Sequence, residues 1–363
     1  MALSKIAPNR KSLLAILLLA AVTASFAWGF AHLPLENSGV AIDWKQIWGA
    51  THGLQANYIT TELRTPPWAV PLLWPLTIFT LGTSLGLAAF ATVSVLVHSI
   101  PKTRNKPLWF FAILSTVIAY PTLRQLIDGN VEALVIGGAL LVLWATEKRH
   151  PLGLAIGALT VAAKIQASLL LLIVLGYWLL VHWPRRDLVQ AFSWSALLVA
   201  APLAWKGAEW WNAMTSFPWT GTAIDSSLLA TLSRLGVSAT SSLLLWISLA
   251  GLTAWFLFSR PIKLGRIQFG WLVSASLLLG PYAASNSVLT PYALGVIPML
   301  LEKPTWGFAL VAAYNLPYLF LAHPDIRFAW ESSYWTLVLL ITWAVLAFSL
   351  LAHPEINRTA VQE

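Results

Sequence analysis

The chain of 363 residues has no cysteine, which removes disulfides, thiol nucleophiles and thiolate metal sites from consideration. Charge is nearly as scarce. Aspartate, glutamate, lysine and arginine make up 10% of the residues, against 58% hydrophobic, whereas a soluble domain carries roughly a quarter charged. A surface so poor in charge is not built for water, so most of the chain is expected to have lipid as its solvent. The strict apolar–polar alternation of a membrane β-barrel is missing too. The apolar residues come instead in long unbroken runs, and helices satisfy the backbone of such runs in hydrocarbon. No His-x-x-x-His, no Asp-x-Asp and no glycine-rich phosphate loop occurs, so neither a metal, a nucleotide nor another cofactor is expected.

The expected fold is therefore all-α, one polytopic transmembrane helical bundle spanning 1–363. A crossing takes about 20 apolar residues, or about 17 when the helix is straight. On that scale about twelve runs qualify: 12–31, 66–100, 107–121, 131–146, 151–163, 165–183, 188–204, 240–259, 267–283, 288–301, 305–321 and 334–352. The first follows Lys5, Arg10 and Lys11 but lacks a clear small-x-small cleavage site, so it is expected to remain as a span and not be removed as a signal peptide. The run 66–100 is too long for one straight helix and holds Pro66, Pro67, Pro71 and Pro75, which predicts a kinked approach followed by one crossing. The net charge is +8, but the basic residues fall in short clusters between apolar runs, as topology determinants do and nucleic-acid interfaces do not. With both termini cytoplasmic, 15 of the 22 lysines and arginines lie inside, as the positive-inside rule requires. The longer segments, 32–65 and 205–239, then lie outside, and segments of that length are where binding and chemistry concentrate. The expected setting is a multi-pass protein of the cell membrane with its working face periplasmic or extracellular.

Three places on that face concentrate polar groups. Asp43 opens a short stretch with Ile42, Trp44, Ile47 and Trp48, which suits a helix lying flat in the interface with its aromatics at headgroup depth. As an isolated Asp before a helix it reads first as an N-cap, and alternatively as a general base at the membrane surface. The turn Tyr120-Pro-Thr-Leu-Arg124-Gln125-Leu-Ile-Asp128-Gly129-Asn130-Val-Glu132 places Arg124 and Asp128 four apart. They can simply pair on a helical turn, or Arg124 can hold an anionic headgroup. Lys164 interrupts more than thirty apolar residues. Such a lysine costs about 2.5–3.5 kcal/mol on insertion scales and usually marks a functional path, against the alternative of a snorkelling residue in an outer turn. The segment Gly280–Ser287 adds Tyr282 and Asn286, and Pro291 and Pro298 are expected to break the following helix, either around a cavity or as simple structural kinks. His52, His323 and Glu331 are further outer candidates without partner spacing. Most of the 21 tryptophans read as interfacial anchors, with Trp210, Trp211 and Trp219 available to stack on sugar or lipid.

Taken in order, these residues resemble a known group. The Asp of the first outer segment is followed by Thr65-Pro66-Pro67 leading into Pro71 and Pro75. Next come the Gln125…Asp128-Gly129-Asn130 turn, the Gly153…Gly157…Lys164 span and the late Pro281-Tyr282…Pro298 stretch. The pattern, spread over most of residues 10–300, is similar to the polyprenol-phosphate-dependent glycosyltransferases of the GT-C superfamily, most closely glycosyltransferase family 87, the mannosyltransferase type. It differs in that the family turn usually reads Gly-Gln-x-Asn, and in that Ser285-Asn286-Ser287 and Thr290 stand where the family has a His or Asp. The resemblance implies a helical bundle with an outer active site, no metal, and transfer of a sugar (mannose or another hexose or pentose) from a polyprenyl-phosphate donor to a lipid or glycan acceptor. It also implies Asp43 as catalytic base, Lys164 and Arg124 at the donor phosphate, and Gln125, Asp128, Asn130, Tyr282 and Asn286 around the substrates. A lipid or sugar transporter or flippase, and a catalytically inactive accessory subunit of the same build, are the other readings at this stage.

Overall fold

A computed structural model describes residues 10–35, 39–54, 57–58, 63–216, 225–259, 263–321 and 324–352. The protein is all-helical, 84% helix, with no strand among the described residues. The helices run α1 Arg10–Ala31, α2 Ile42–Thr51, α3 Val70–Thr77, α4 Leu81–Ser99, α5 Lys106–Val117, α6 Tyr120–Asp128, α7 Glu132–Lys148, α8 Pro151–Val161 and α9 Ile165–His182. They continue with α10 Arg185–Ser216, α11 Leu228–Arg234, α12 Ala239–Phe258, α13 Arg266–Leu279, α14 Ile297–Glu302, α15 Pro304–Asn315 and α16 Pro324–Ala352.

Among the described residues six helical runs are long and apolar enough to cross a membrane: Leu81–Ser99, Lys106–Asp128, Pro151–His182, Arg185–Ser216, Ala239–Phe258 and Trp330–Leu351. Several other expected spans are shorter helices, such as α7 with 17 residues and α13 with 14. Short helices are tolerated at membrane depth where protein covers their ends. The 66–100 run divides as its prolines predict, into a 3₁₀ turn at Pro67–Ala69, the short α3 with Pro75 inside it, and the 19-residue α4.

The run Pro151–His182 is not one straight rod. Lys164 sits at φ −131°, ψ 69°, and the Ser168 hydroxyl donates to the carbonyls of both Lys164 and Val161, each at 3.0 Å. In a straight helix a carbonyl seven residues back lies roughly 10 Å away along the axis. The chain therefore bends sharply at Lys164, and α8 and α9 are separate arms.

α10 corrects an expectation. Residues from 205 onward were expected to form an outer loop, but the helix runs unbroken to Ser216. Nothing after Pro202 stops it, and a Lys206–Glu209 ion pair at 2.7 Å braces the exposed turn. Its 32 residues span roughly 48 Å, well beyond a hydrocarbon core of about 30 Å. The projecting end docks on the 63–69 segment. There Trp210 Nε1 donates to the Arg64 carbonyl at 3.1 Å, and its ring meets Trp68 edge-on at 5.4 Å.

α13 is buried along its whole length except for Arg266 and Leu279. It crosses the helix that follows it so closely that a Cβ on Gly270 would come 2.4 Å from the Gly295 nitrogen, the small-residue contact by which helices pack in lipid. That following helix changes its winding along its length. Ser285–Val288 is 3₁₀, Leu289–Pro291 is one α turn, Tyr292–Val296 is π-helical, and α14 follows. Pro298 has no N–H for the Leu294 carbonyl and crowds it, so the ladder shifts to the wider π spacing there, a device common beside functional sites.

Candidate functional site

One cavity of about 330 Å³ is lined by Asp43, Arg64, Arg124, Asp128, Asn130, Lys164, Tyr282 and Asn286, together with Gln46, Thr65, Gln166, Ser285 and apolar neighbours. Five separate stretches of chain meet there: the start of α2, the 63–65 segment, α6 with the α6–α7 turn, the Lys164 bend and the 282–286 segment. The volume lies at the lower end of the range for small-molecule pockets.

The first stretch is set by Trp44. Its side chain is buried and donates from Nε1 to Ser84 Oγ on α4 at 3.0 Å. The Ala41 amide donates to the Ile127 carbonyl at 2.6 Å, and Gly129 lies against Trp44 so closely that a Cβ there would come 2.4 Å from Trp44 Cβ. Gly129 also closes α6 at φ 68°, a left-handed conformation that favours glycine. Two demands thus meet on one residue. The expected interfacial helix is accordingly corrected: Trp44 and Ile47 are buried in protein, and Trp48 donates to the Phe79 carbonyl at 2.9 Å.

With Trp44 turned inward, Asp43 faces the cavity. It is not the N-cap. That position belongs to Ala41, and no side chain caps the helix. The carboxylate instead accepts from Asn130 Nδ2 at 2.6 Å and from Asn286 Nδ2 at 2.9 Å, both on Oδ2. Oδ1 has no hydrogen-bond partner among the described residues.

The α6–α7 turn carries Asn130. Gln125 is buried and donates from Nε2 to the Asn130 carbonyl, so it holds the turn from behind and does not line the cavity as a substrate contact would. Asn130 Oδ1 accepts from the Val131 amide at 2.7 Å. Arg124 and Asp128 pair at 3.3 Å across one helical turn, the simple local pairing, while both still line the cavity. Asn286 also hydrogen-bonds to Asp128.

At its bend Lys164 is buried with the fully buried Glu132, Nζ to Oε1 at 2.6 Å. It donates further to Asn130 Oδ1 at 3.1 Å and Asn286 Oδ1 at 3.4 Å. Glu132 accepts on its other oxygen from the Thr290 hydroxyl, in the α turn that follows the 3₁₀ turn Ser285–Val288. Burial pushes the Tyr282 phenol up to about 12, so near neutral pH it keeps its proton and can donate.

Other expected candidates lie elsewhere. His52 is bonded through Nδ1 to the Thr77 carbonyl at 2.5 Å and stacked on Trp48. Glu331 is buried in α16 and accepts from the Tyr120 hydroxyl at 3.3 Å. Trp210 is tied to Arg64 as described, Trp211 is exposed, and Trp219 and His323 lie outside the described residues.

Glu132 closed the polar turn in the sequence but was given no role there, and Arg64 was not singled out for the cavity it lines. The available signal was electrostatic. A lysine inside an apolar run needs a counter-charge, and Glu132, at the head of another apolar run, is a carboxylate within reach of the same turn. Among the described residues no group of three His, Asp or Glu side chains is placed to hold a metal ion. No family model, curated protein or solved structure matches the chain.

Proposed function

We propose that the protein is a membrane glycosyltransferase that moves a sugar from a polyprenyl-phosphate donor to a lipid or glycan acceptor. In this reading the bundle threads the membrane about twelve times with both termini cytoplasmic, and its fold is GT-C-like. The cavity opens on the non-cytoplasmic side, because the basic residues of the sequence gather on the other one.

The observation that carries the reading is the state of Asp43. One carboxylate oxygen is held by two amides, and the other is left toward a cavity that also contains Arg64, Arg124 and Lys164. A general base needs this kind of fixed orientation with one lone pair available, and a phosphate leaving group needs cations already in place. Asp43 takes the proton of the acceptor hydroxyl as its oxygen bonds to the anomeric carbon. The bond from that carbon to the phosphate oxygen breaks, and the electron pair leaves with polyprenyl phosphate. Arg124, with Arg64, faces the charge that develops there. Tyr282 and Asn286 lie where they can donate to sugar hydroxyls. The resemblance to family 87 in the first outer segment and the Lys164 span points the same way.

The test is transfer itself. Membranes containing the protein, given radiolabelled polyprenyl-phosphate mannose and then other hexose and pentose donors, are expected to build label into a lipid or glycan product. No incorporation from any of these donors, with the protein present and folded, would remove glycosyl transfer and leave the transporter and accessory-subunit readings.

A further inference from the structure

An ammonium group has three N–H donors and no more. Lys164 has three partners within the chain: an ion pair with Glu132 Oε1 at 2.6 Å and hydrogen bonds to Asn130 Oδ1 at 3.1 Å and Asn286 Oδ1 at 3.4 Å. The two asparagines that accept from the lysine are the same two that donate to Asp43. Each amide is therefore clamped between a cation on its oxygen and a carboxylate on its nitrogen. Flipping either one would turn its NH₂ toward the ammonium and its oxygen toward the carboxylate, two repulsions in place of two attractions. The ammonium thereby joins the Asp43 carboxylate, and at Asn130 the Val131 N–H, in setting which way the amides point.

We propose that Lys164 is a positioning residue, which Glu132 anchors so that it locks the Asn130 and Asn286 amides onto Asp43, and that it is not a ligand of the donor's phosphate. This rests on the reading of Asp43 as the base. Glu132 is what makes the arrangement rigid. With Thr290 on its other oxygen, it anchors a lysine whose side chain is only 8% exposed, and buried polar networks of this kind rigidify the groups they join. The phosphate of the donor then falls to Arg124 and Arg64, which line the same cavity. The expectation that Lys164 and Arg124 share one task divides into two tasks.

The test uses the full chain in detergent micelles and the double variant Lys164→Met/Glu132→Gln, which removes both buried charges together so that neither is stranded. Three measurements are made against wild type and Arg124→Met. In protein labelled with ¹⁵N-asparagine, the side-chain amide signals of Asn130 and Asn286, assigned with Asn130→Ser and Asn286→Ser, are expected to shift in the double variant and in Asp43→Asn. Decyl phosphate, titrated by tryptophan fluorescence, is expected to bind the double variant within about threefold of wild type and Arg124→Met about tenfold more weakly. For sugar transfer, kcat of the double variant is expected to fall about 100-fold with the donor KM within about threefold. Amide signals that stay put, or decyl phosphate binding weakened about tenfold in the double variant, would overturn the proposal. If wild type neither transfers sugar nor binds decyl phosphate, the glycosyl-transfer reading fails separately, and the amide signals alone decide the positioning role.

Discussion

Two ion pairs stand in the walls of one cavity, and they are built differently. Lys164 and Glu132 meet at 2.6 Å with side chains 8% and 0% exposed, and they come from the α8–α9 bend and the head of α7. Arg124 and Asp128 meet at 3.3 Å with side chains 24% and 14% exposed, four residues apart on one helix. The first pair is almost wholly buried and tied into the asparagine network. The second is local, half open, and free to exchange its partner for a ligand. The difference shows that a cation in a pocket is not automatically a ligand site. A buried charge held by several partners within the chain holds architecture, whereas a partly solvated one can be recruited at little cost.

The comparison predicts a steep ranking of substitutions. Glu132→Gln leaves a buried ammonium without its counter-charge, a change that costs about 3–5 kcal/mol. Thermal or denaturant unfolding in micelles should show that loss, and a loss below about 1 kcal/mol would mean that the pair is solvated like an exposed one. Gly129→Ala comes next. Gly129 lies between Asp128 and Glu132 and so joins the two regions, and its Cβ would collide with Trp44 in a backbone conformation strained for alanine. About 1–3 kcal/mol of stability is expected to go, and Asp43 is expected to be displaced with it. Asp128→Asn is the mildest. It breaks an (i, i+4) pair worth only a few tenths of a kcal/mol, so the unfolding midpoint should barely move. A large loss there would show that the second pair is as structural as the first.

The parts of this picture differed in how visible they were in the sequence. The all-helical class with long apolar helices followed from the scarcity of charge, and the irregular Pro66–Pro67 entry and the π winding before Pro298 followed from what proline does to a helix. The meeting of Asp43, Arg124 and Lys164 in one cavity was anticipated from their placement on one face. The role of Glu132 was not, because an acid at the start of an apolar run reads equally well as a residue that complements the helix dipole. Its partner Thr290 makes a contact across 158 residues. The N-cap reading of Asp43 failed for a related reason: the direction of its side chain is set by Trp44 packing on Gly129 and Ser84, which no local pattern encodes. The length of α10 was missed because hydrophobicity stops at the membrane surface while backbone hydrogen bonding does not. Which helices face protein was equally hidden. α13 is buried almost end to end, while Ala191 is the buried residue of α10. In lipid both faces are apolar, and only small residues such as Gly270 mark the packed one.

The central claim is that Asp43 is a base held in place by amides. The most direct measurement compares sugar transfer by wild type and Asp43→Asn at matched protein levels, with decyl phosphate binding as the check that the cavity is intact. The account predicts transfer lowered by about 10³-fold or more with phosphate binding unchanged. Transfer retained within a few-fold in the folded Asp43→Asn protein would contradict it.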